Sequence, residues 1–165
     1  MTLFRNFRYF VLAFFLILPN SGLPQTDGAP QRLLVSRVII ETDTGSLEFE
    51  AEMAITWEQQ RMGLMFRREM PENRGMLFYY PFPQKVSFWM KNTYLPLDII
   101  FIRSDGAIAS IAHDTVPHSL NPVGSEGIIT GVFEINAGLT EKLGIREGDL
   151  VRHEIFRNIL GESGE

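Results

Sequence analysis

The sequence predicts a mainly-β fold, a compact antiparallel β-sandwich or barrel-like domain with two short helices. About eight short apolar segments lie close together along the chain, and turn signals such as Asp43-Thr44-Gly45 and Ser104-Asp105-Gly106 separate some of them. Only two segments, each of one or two turns, have helical character. With 165 residues, 45% of them hydrophobic, the chain is long enough for one domain with its own core.

The clearest strand runs from Leu47 to Ile55, where apolar residues alternate with Glu48, Glu50 and Glu52. A period of two places the apolar residues on one face and the glutamates on the other, which we interpret as a solvated sheet face. The other predicted strands cover residues 34–40, 75–80, 85–91, 97–102, 107–112, 128–135 and 150–156.

Both predicted helices have end signals. Thr56 and Gln59 fit a capping box, so the first helix should run from Trp57 to about Met62 and end at Gly63. Asn136 is expected to cap a second helix, Ala137–Leu143, which Gly144 would terminate.

The first 22 residues are predicted to be a secretory signal peptide. Arg5 and Arg8 precede the uninterrupted apolar run Tyr9–Leu18, and small or polar residues follow. A retained anchor is the alternative, but a ten-residue helix reaches only about 15 Å, half of a bilayer core. A flexible linker should cover residues 23–32, followed by a single domain at 33–160. We therefore expect an exported protein, periplasmic or extracellular, with no stable membrane span after signal removal.

Composition limits the partners. The formal net charge is −5, and loss of Arg5 and Arg8 leaves 13 basic and 20 acidic residues. This balance argues against nucleic acid or anionic lipid as the main partner. The chain has no cysteine, so its stability cannot depend on disulfides.

The most informative segment places Lys91 and Asp98 inside two otherwise apolar predicted strands joined by a short connection. Burying an unpaired charge is costly, so the two side chains are expected either to meet or to find other partners. If residues 91 and 98 lie nearly opposite each other, they can form a cross-strand ion pair. Glu134 is a second carboxylate between apolar neighbours, with Asn136 on its face. Arg67 or Arg68 could supply another cation.

These residues allow a functional and a structural interpretation. In the first, Arg67, Trp89, Lys91, Asp98, Glu134 and Asn136 form a pocket for a small polar or saccharide ligand. In the second, which we favour, the charges form a buried network that holds the fold together. No cofactor or metal site is predicted, and an envelope protein is an alternative partner.

Three other functions stay open. Asp98 or Glu134 could act as the general base of a hydrolase-like enzyme. A group of aromatic residues could stack on a sugar: Trp57, Tyr79, Tyr80, Phe82, Phe88 and Trp89. A cluster of methionines could bind Cu(I), although methionine is also a common core residue: Met62, Met65, Met70, Met76 and Met90.

Five motifs occur in one order: Gly63-Leu64-Met65-Phe66-Arg67, Gly75-Met76-Leu77-Phe78, Phe88-Trp89-Met90-Lys91-Asn92-Thr93, Pro96-Leu97-Asp98 and Glu134-Ile135-Asn136-Ala137-Gly138. In these motifs the chain resembles the domain-of-unknown-function 192 family, over about residues 55–152. The resemblance implies a compact β-sandwich-like domain, commonly behind a signal sequence. It implies no activity, because none is established for the family.

Overall fold

A computed structural model describes residues 31–159. The predicted signal peptide and almost all of the linker lie outside the described residues, so both stay predictions. The elements in chain order are β1 (Val35–Thr42), β2 (Gly45–Ala54), α1 (Trp57–Met62), β3 (Arg74–Gln84), β4 (Ser87–Phe88), β5 (Leu97–Ile102), β6 (Ile108–Thr115), β7 (Val123–Gly124), β8 (Ile129–Asn136), α2 (Leu139–Leu143), β9 (Leu150–Arg152) and a 3₁₀ turn at Glu154–Phe156.

Seven strands form one curled sheet in the order β6-β5-β8-β3-β2-β1-β9, and β4 pairs with β7 separately. The edge strands approach each other at a bridge between Ala107 and Leu150, which makes the sheet barrel-like. The mainly-β prediction is therefore confirmed. One pair departs from the antiparallel expectation: β2 and β3 run parallel, because α1 and the segment after it return the chain to the starting edge.

Both faces of the sheet are buried where β3, β5 and β8 run. The inner face is enclosed by the curl and carries apolar residues from strands across the sheet, such as Ile40, Phe49 and Phe133. The outer face is covered by connecting loops and carries Phe78, Phe101 and other apolar residues. Successive side chains along β5 or β8 therefore alternate between the inner and the outer face of the sheet.

Two predicted strands are shorter than expected. The segment 85–91 forms a strand only at Ser87–Phe88, because the chain then turns: Thr93 N–H donates to the carbonyl of Met90 (3.1 Å) and Asn92 has a φ of 57°. The last strand ends at Arg152 rather than 156, since the 3₁₀ turn follows.

The first helix is confirmed, and the second begins later than predicted. Thr56 and Gln59 form the expected capping box on α1. Helix α2 starts at Leu139 with Gly138 as its N-cap. Asn136 is instead the last residue of β8, where its Nδ2 donates to the carbonyl of Met70 (2.8 Å). Between residues 31 and 159, no helix has the length and apolar character needed to cross a membrane.

Candidate functional site

Two carboxylates are buried on neighbouring strands but on opposite faces of the sheet. Asp98 on β5 lies opposite Ile135, and Glu134 on β8 lies opposite Ile99. Alternation then places Asp98 on the inner face with Ile100, as predicted, and Glu134 on the outer face. The prediction that Asp98 and Glu134 converge on one pocket is therefore wrong.

Asp98 is completely buried and fully hydrogen-bonded. Its Oδ1 accepts from the backbone N–H of Asp114 (3.0 Å), and its Oδ2 accepts from the N–H (3.0 Å) and Oγ1 (2.6 Å) of Thr140. Because the Thr140 hydroxyl donates to Asp98, it accepts from Nδ1 of His113 (2.9 Å). Asp98 thus joins β5 to the β6 end and to α2, a structural role.

Lys91 does not reach Asp98. It is exposed on the turn after β4, and its Nζ lies 5.3 Å from the centre of the Trp89 ring, a cation–π contact. The predicted cross-strand ion pair is wrong because residue 91 belongs to a turn and not to a strand.

The arginines also have other partners. Arg67 forms a two-pronged ion pair with Glu52, with both N···O distances at 2.6 Å, and both side chains are only 14% exposed. The guanidinium of Arg68 lies 4.6 Å from the centre of the Tyr94 ring. Glu52 is therefore not on a solvated face as predicted, although Glu48 and Glu50 are exposed.

Glu134 has a different environment, at the base of an open cavity of about 500 Å³. The residue is 5% exposed, and within residues 31–159 no hydrogen bond or ion pair reaches its carboxylate. Burial raises the pKa of Glu134 to about 8, so the carboxyl is mostly protonated at pH 7. Burial and the nearby Glu134 also raise the pKa of Tyr80, which lines the same cavity.

This cavity is here called the Glu134 pocket. Its rim carries aromatic and basic side chains. Trp57 and Trp89 are 68% and 52% exposed. The Arg61 guanidinium lies 5.2 Å from the centre of the Trp57 ring, and Lys85 lies on the segment between β3 and β4. Four members of the predicted aromatic group line the pocket: Trp57, Tyr80, Phe88 and Trp89.

Of the six predicted site residues, only Trp89 and Glu134 line this pocket. Sequence reasoning missed Arg61 and Lys85 because nothing local distinguishes them from other surface cations. Arg61 could have been found through the capping box, because that motif predicts the helix α1. Trp57 and Arg61 are four positions apart on this helix and therefore share a face.

Methionines contribute to the pocket wall, where Met62, Met65 and Met90 are lining residues. Met76 is buried in the outer-face core. Across residues 31–159, no group of three or more histidine, cysteine or acidic side chains is placed to hold a metal ion. The Cu(I) interpretation stays a prediction.

A second cavity of about 470 Å³ lies at the other end of the Asp98 network. His113, Asp114 and Thr140 line it, together with residues of α2 and the loop that follows. Its polar groups near Asp98 are already bonded to one another, as described above.

Comparison with known proteins assigns the family. The sequence model of the domain-of-unknown-function 192 family, described as "Uncharacterized ACR", matches residues 38–153. The chain belongs to this family. The resemblance that its motifs predicted is thereby confirmed.

Two solved structures are similar to this member of the domain-of-unknown-function 192 family. One, from Sinorhizobium meliloti 1021, is provisionally described as a transcription regulator. It has 38% identity and a TM-score of 0.74, and the match covers 77% of this chain and 99% of that one. The other, a Novosphingobium aromaticivorans DSM 12444 protein of unknown function, has 40% identity, a TM-score of 0.72 and coverages of 73% and 86%. No curated protein is significantly similar to the chain.

Proposed function

We propose that this protein is a non-enzymatic binding protein that takes up a small polar ligand in the Glu134 pocket. The observation that carries the proposal is Glu134 itself, a carboxyl group that is 5% exposed and that no described residue contacts by a hydrogen bond or an ion pair. The fully buried side-chain atoms that have no hydrogen-bond partner do not include those of Glu134, so its carboxyl group reaches the open cavity. A ligand in the cavity can therefore form hydrogen bonds with it.

The pocket has the size and several of the side chains of a small-molecule site. Such sites are concave, measure a few hundred Å³ and combine aromatic walls with polar groups that orient the ligand. Here Trp57, Phe88 and Trp89 line the cavity together with polar residues that include Tyr80 and Glu134, and its surface is about as polar as it is apolar. Trp57 and Trp89 are also strongly exposed, which places large apolar area at the mouth.

A hydrolase is the second candidate, and it now depends on Glu134 alone. Asp98 has no exposed surface and its carboxylate already accepts three hydrogen bonds, so it cannot reach a substrate. The pKa of Glu134, raised to about 8, lies near neutral pH and suits a general acid or base. The two candidates differ in turnover: a hydrolase converts its ligand, whereas a binding protein releases it unchanged.

DNA binding is not proposed for this chain, although the Sinorhizobium relative is described as a transcription regulator. Recognition of a phosphate backbone depends on clustered positive charge, and the net charge here is −5.

Export remains part of the proposal. The basic start with Arg5 and Arg8 and the apolar run Tyr9–Leu18 support it. Alkaline phosphatase fused after residue 32 should be active in the periplasm of a bacterial host. A fusion that is produced but inactive would contradict export, because the disulfides of the enzyme do not form in the cytosol.

The binding proposal is tested by a two-dimensional ¹H–¹⁵N NMR titration. The probes are galactose, N-acetylglucosamine, betaine and galacturonate, each added to tens of millimolar, with spectra repeated after a day to detect conversion. At least one probe should shift amides around Glu134 and Trp89 and leave those around His113 unchanged. Its effect should weaken in Glu134→Ala. Shifts confined to other surfaces, or none with any probe, would contradict the proposal.

A further inference from the structure

Resting on that proposed function, we propose that the ligand of the Glu134 pocket is an acidic saccharide. Its carboxylate would be held at the rim by Arg61 and Lys85, its ring would stack on an exposed tryptophan, and its hydroxyls would bond to Glu134 at the base. Each of these three parts follows from a different property of the pocket.

The rim carries positive charge on an acidic protein. Arg61 and Lys85 are exposed lining residues, and neither forms an ion pair with any described residue. Glu134 is the one acidic residue that lines the pocket among those the structure describes. The lining of the pocket therefore carries two cations and one acidic residue, a balance that attracts an anion and repels an organic cation.

The mouth also presents flat aromatic surface. Trp57 and Trp89 both line the pocket and are both more than half exposed. Each has a cation near one ring, Arg61 at 5.2 Å and Lys91 at 5.3 Å. The weakly polar C–H face of a sugar ring packs well on such a surface, and Arg61 beside Trp57 lines the same pocket.

The base suits hydroxyl groups. A protonated carboxyl group both donates and accepts hydrogen bonds, as a sugar hydroxyl does. Gln60 also lines the pocket, and its Nε2 already donates to the carbonyls of Ala54 (3.2 Å) and Tyr79 (2.8 Å), which leaves Oε1 to accept a further hydrogen bond. A compound that combines hydroxyls with one carboxylate matches both ends of the pocket.

Two matched pairs of probes test the inference: galacturonate against galactose, and glucuronate against glucose. Within each pair the ligands differ only at C6, which is a carboxylate in one and a CH₂OH group in the other. Affinities are measured by NMR titration at about 20 mM salt, where exposed charges are least screened. At least one uronate should bind the Glu134 pocket about fivefold or more tighter than its parent sugar, the gain expected from two partly exposed charge contacts.

A pair of double variants assigns the preference to the rim. Arg61→Gln with Lys85→Gln should make the uronate and its parent sugar bind equally. The control, Arg103→Gln with Lys142→Gln, removes the same charge from exposed residues outside the pocket and should keep the preference. All four sites are exposed, so both variants should fold, which thermal unfolding checks.

The remaining outcomes separate this inference from the proposed function. If a neutral sugar or betaine shifts the pocket amides and no uronate binds more tightly, the ligand is not acidic but the pocket still binds ligands. If both double variants reduce the preference equally, the rim is not its source and the inference fails. If none of the four sugars binds, the inference fails, and betaine and N-acetylglucosamine decide the proposed function.

Discussion

Asp98 and Glu134 are buried carboxylates on adjacent strands, yet their surroundings are opposite. Asp98 on the inner face accepts three hydrogen bonds, two of them from Thr140. Glu134 on the outer face receives none from the described residues and lies open to a cavity. Burial alone therefore does not distinguish the two carboxylates, whereas their hydrogen bonds and their access to a cavity do.

The largest expected effect concerns Asp98, the hydrogen-bonded carboxylate of this comparison. Asp98→Ala leaves the N–H groups of Asp114 and Thr140 and the Thr140 hydroxyl without their acceptor. We expect a loss of about 3–5 kcal/mol in the free energy of unfolding at pH 7, because three hydrogen bonds to one buried group are lost together. Urea unfolding followed by circular dichroism measures it.

Asp98→Asn is the matched control for that loss. It preserves the shape of the side chain and one acceptor oxygen. Its free energy of unfolding should therefore lie between those of the wild type and Asp98→Ala. A loss below about 1 kcal/mol for Asp98→Ala would show that the network does not stabilise the fold and would remove the contrast with Glu134.

Glu134→Gln is expected to change the free energy of unfolding in the opposite direction and to stabilise the protein. Burial raises the pKa of Glu134 from 4.5 to about 8. Between these values the unfolded chain loses the proton and the folded protein retains it, so wild-type stability falls as pH rises from about 4.5 to about 8. The shift sets an upper limit of about 5 kcal/mol.

The neutral glutamine avoids this loss. We expect Glu134→Gln to be about 2 kcal/mol more stable than the wild type at pH 8, less than the limit because water in the open pocket solvates the carboxylate. The two proteins should be equally stable at pH 4. Urea unfolding at pH 4, 6 and 8 gives the comparison, and a difference that does not grow with pH would contradict the burial of an unpartnered carboxyl group.

The sequence predicted local structure well and the meeting of distant residues poorly. Thr56 and Gln59 specify the start of α1 through bonds between neighbours, and alternation correctly assigned the face of Asp98. Whether Glu134 shares that face depends on the register between β5 and β8. A shift of one residue reverses the answer, and nothing local in the sequence reports it.

Two other failures have the same origin. The pairing of Lys91 with Asp98 assumed a continuous strand, but the segment turns at Asn92. Hydrogen bonds to distant loops hold this turn, such as that from Met90 N–H to the carbonyl of Ser119 (2.9 Å). The row of glutamates appeared uniform in sequence, but Arg67 covers Glu52. In each case a contact from a distant segment decided the environment.

The smallest expected effect concerns Lys91 and Asp98 together. A double-mutant cycle with Lys91→Met and Asp98→Asn should give a coupling energy within about 0.5 kcal/mol of zero, because Lys91 is exposed beside Trp89 and Asp98 is bonded elsewhere. The matched cycle replaces Lys91→Met by Thr140→Val, which removes a direct partner of Asp98, and should give more than about 1 kcal/mol. Urea unfolding of the six proteins measures both cycles. A coupling for Lys91 as large as that for Thr140 would mean that the two charges do meet, and Asp98 would then lose its purely structural assignment.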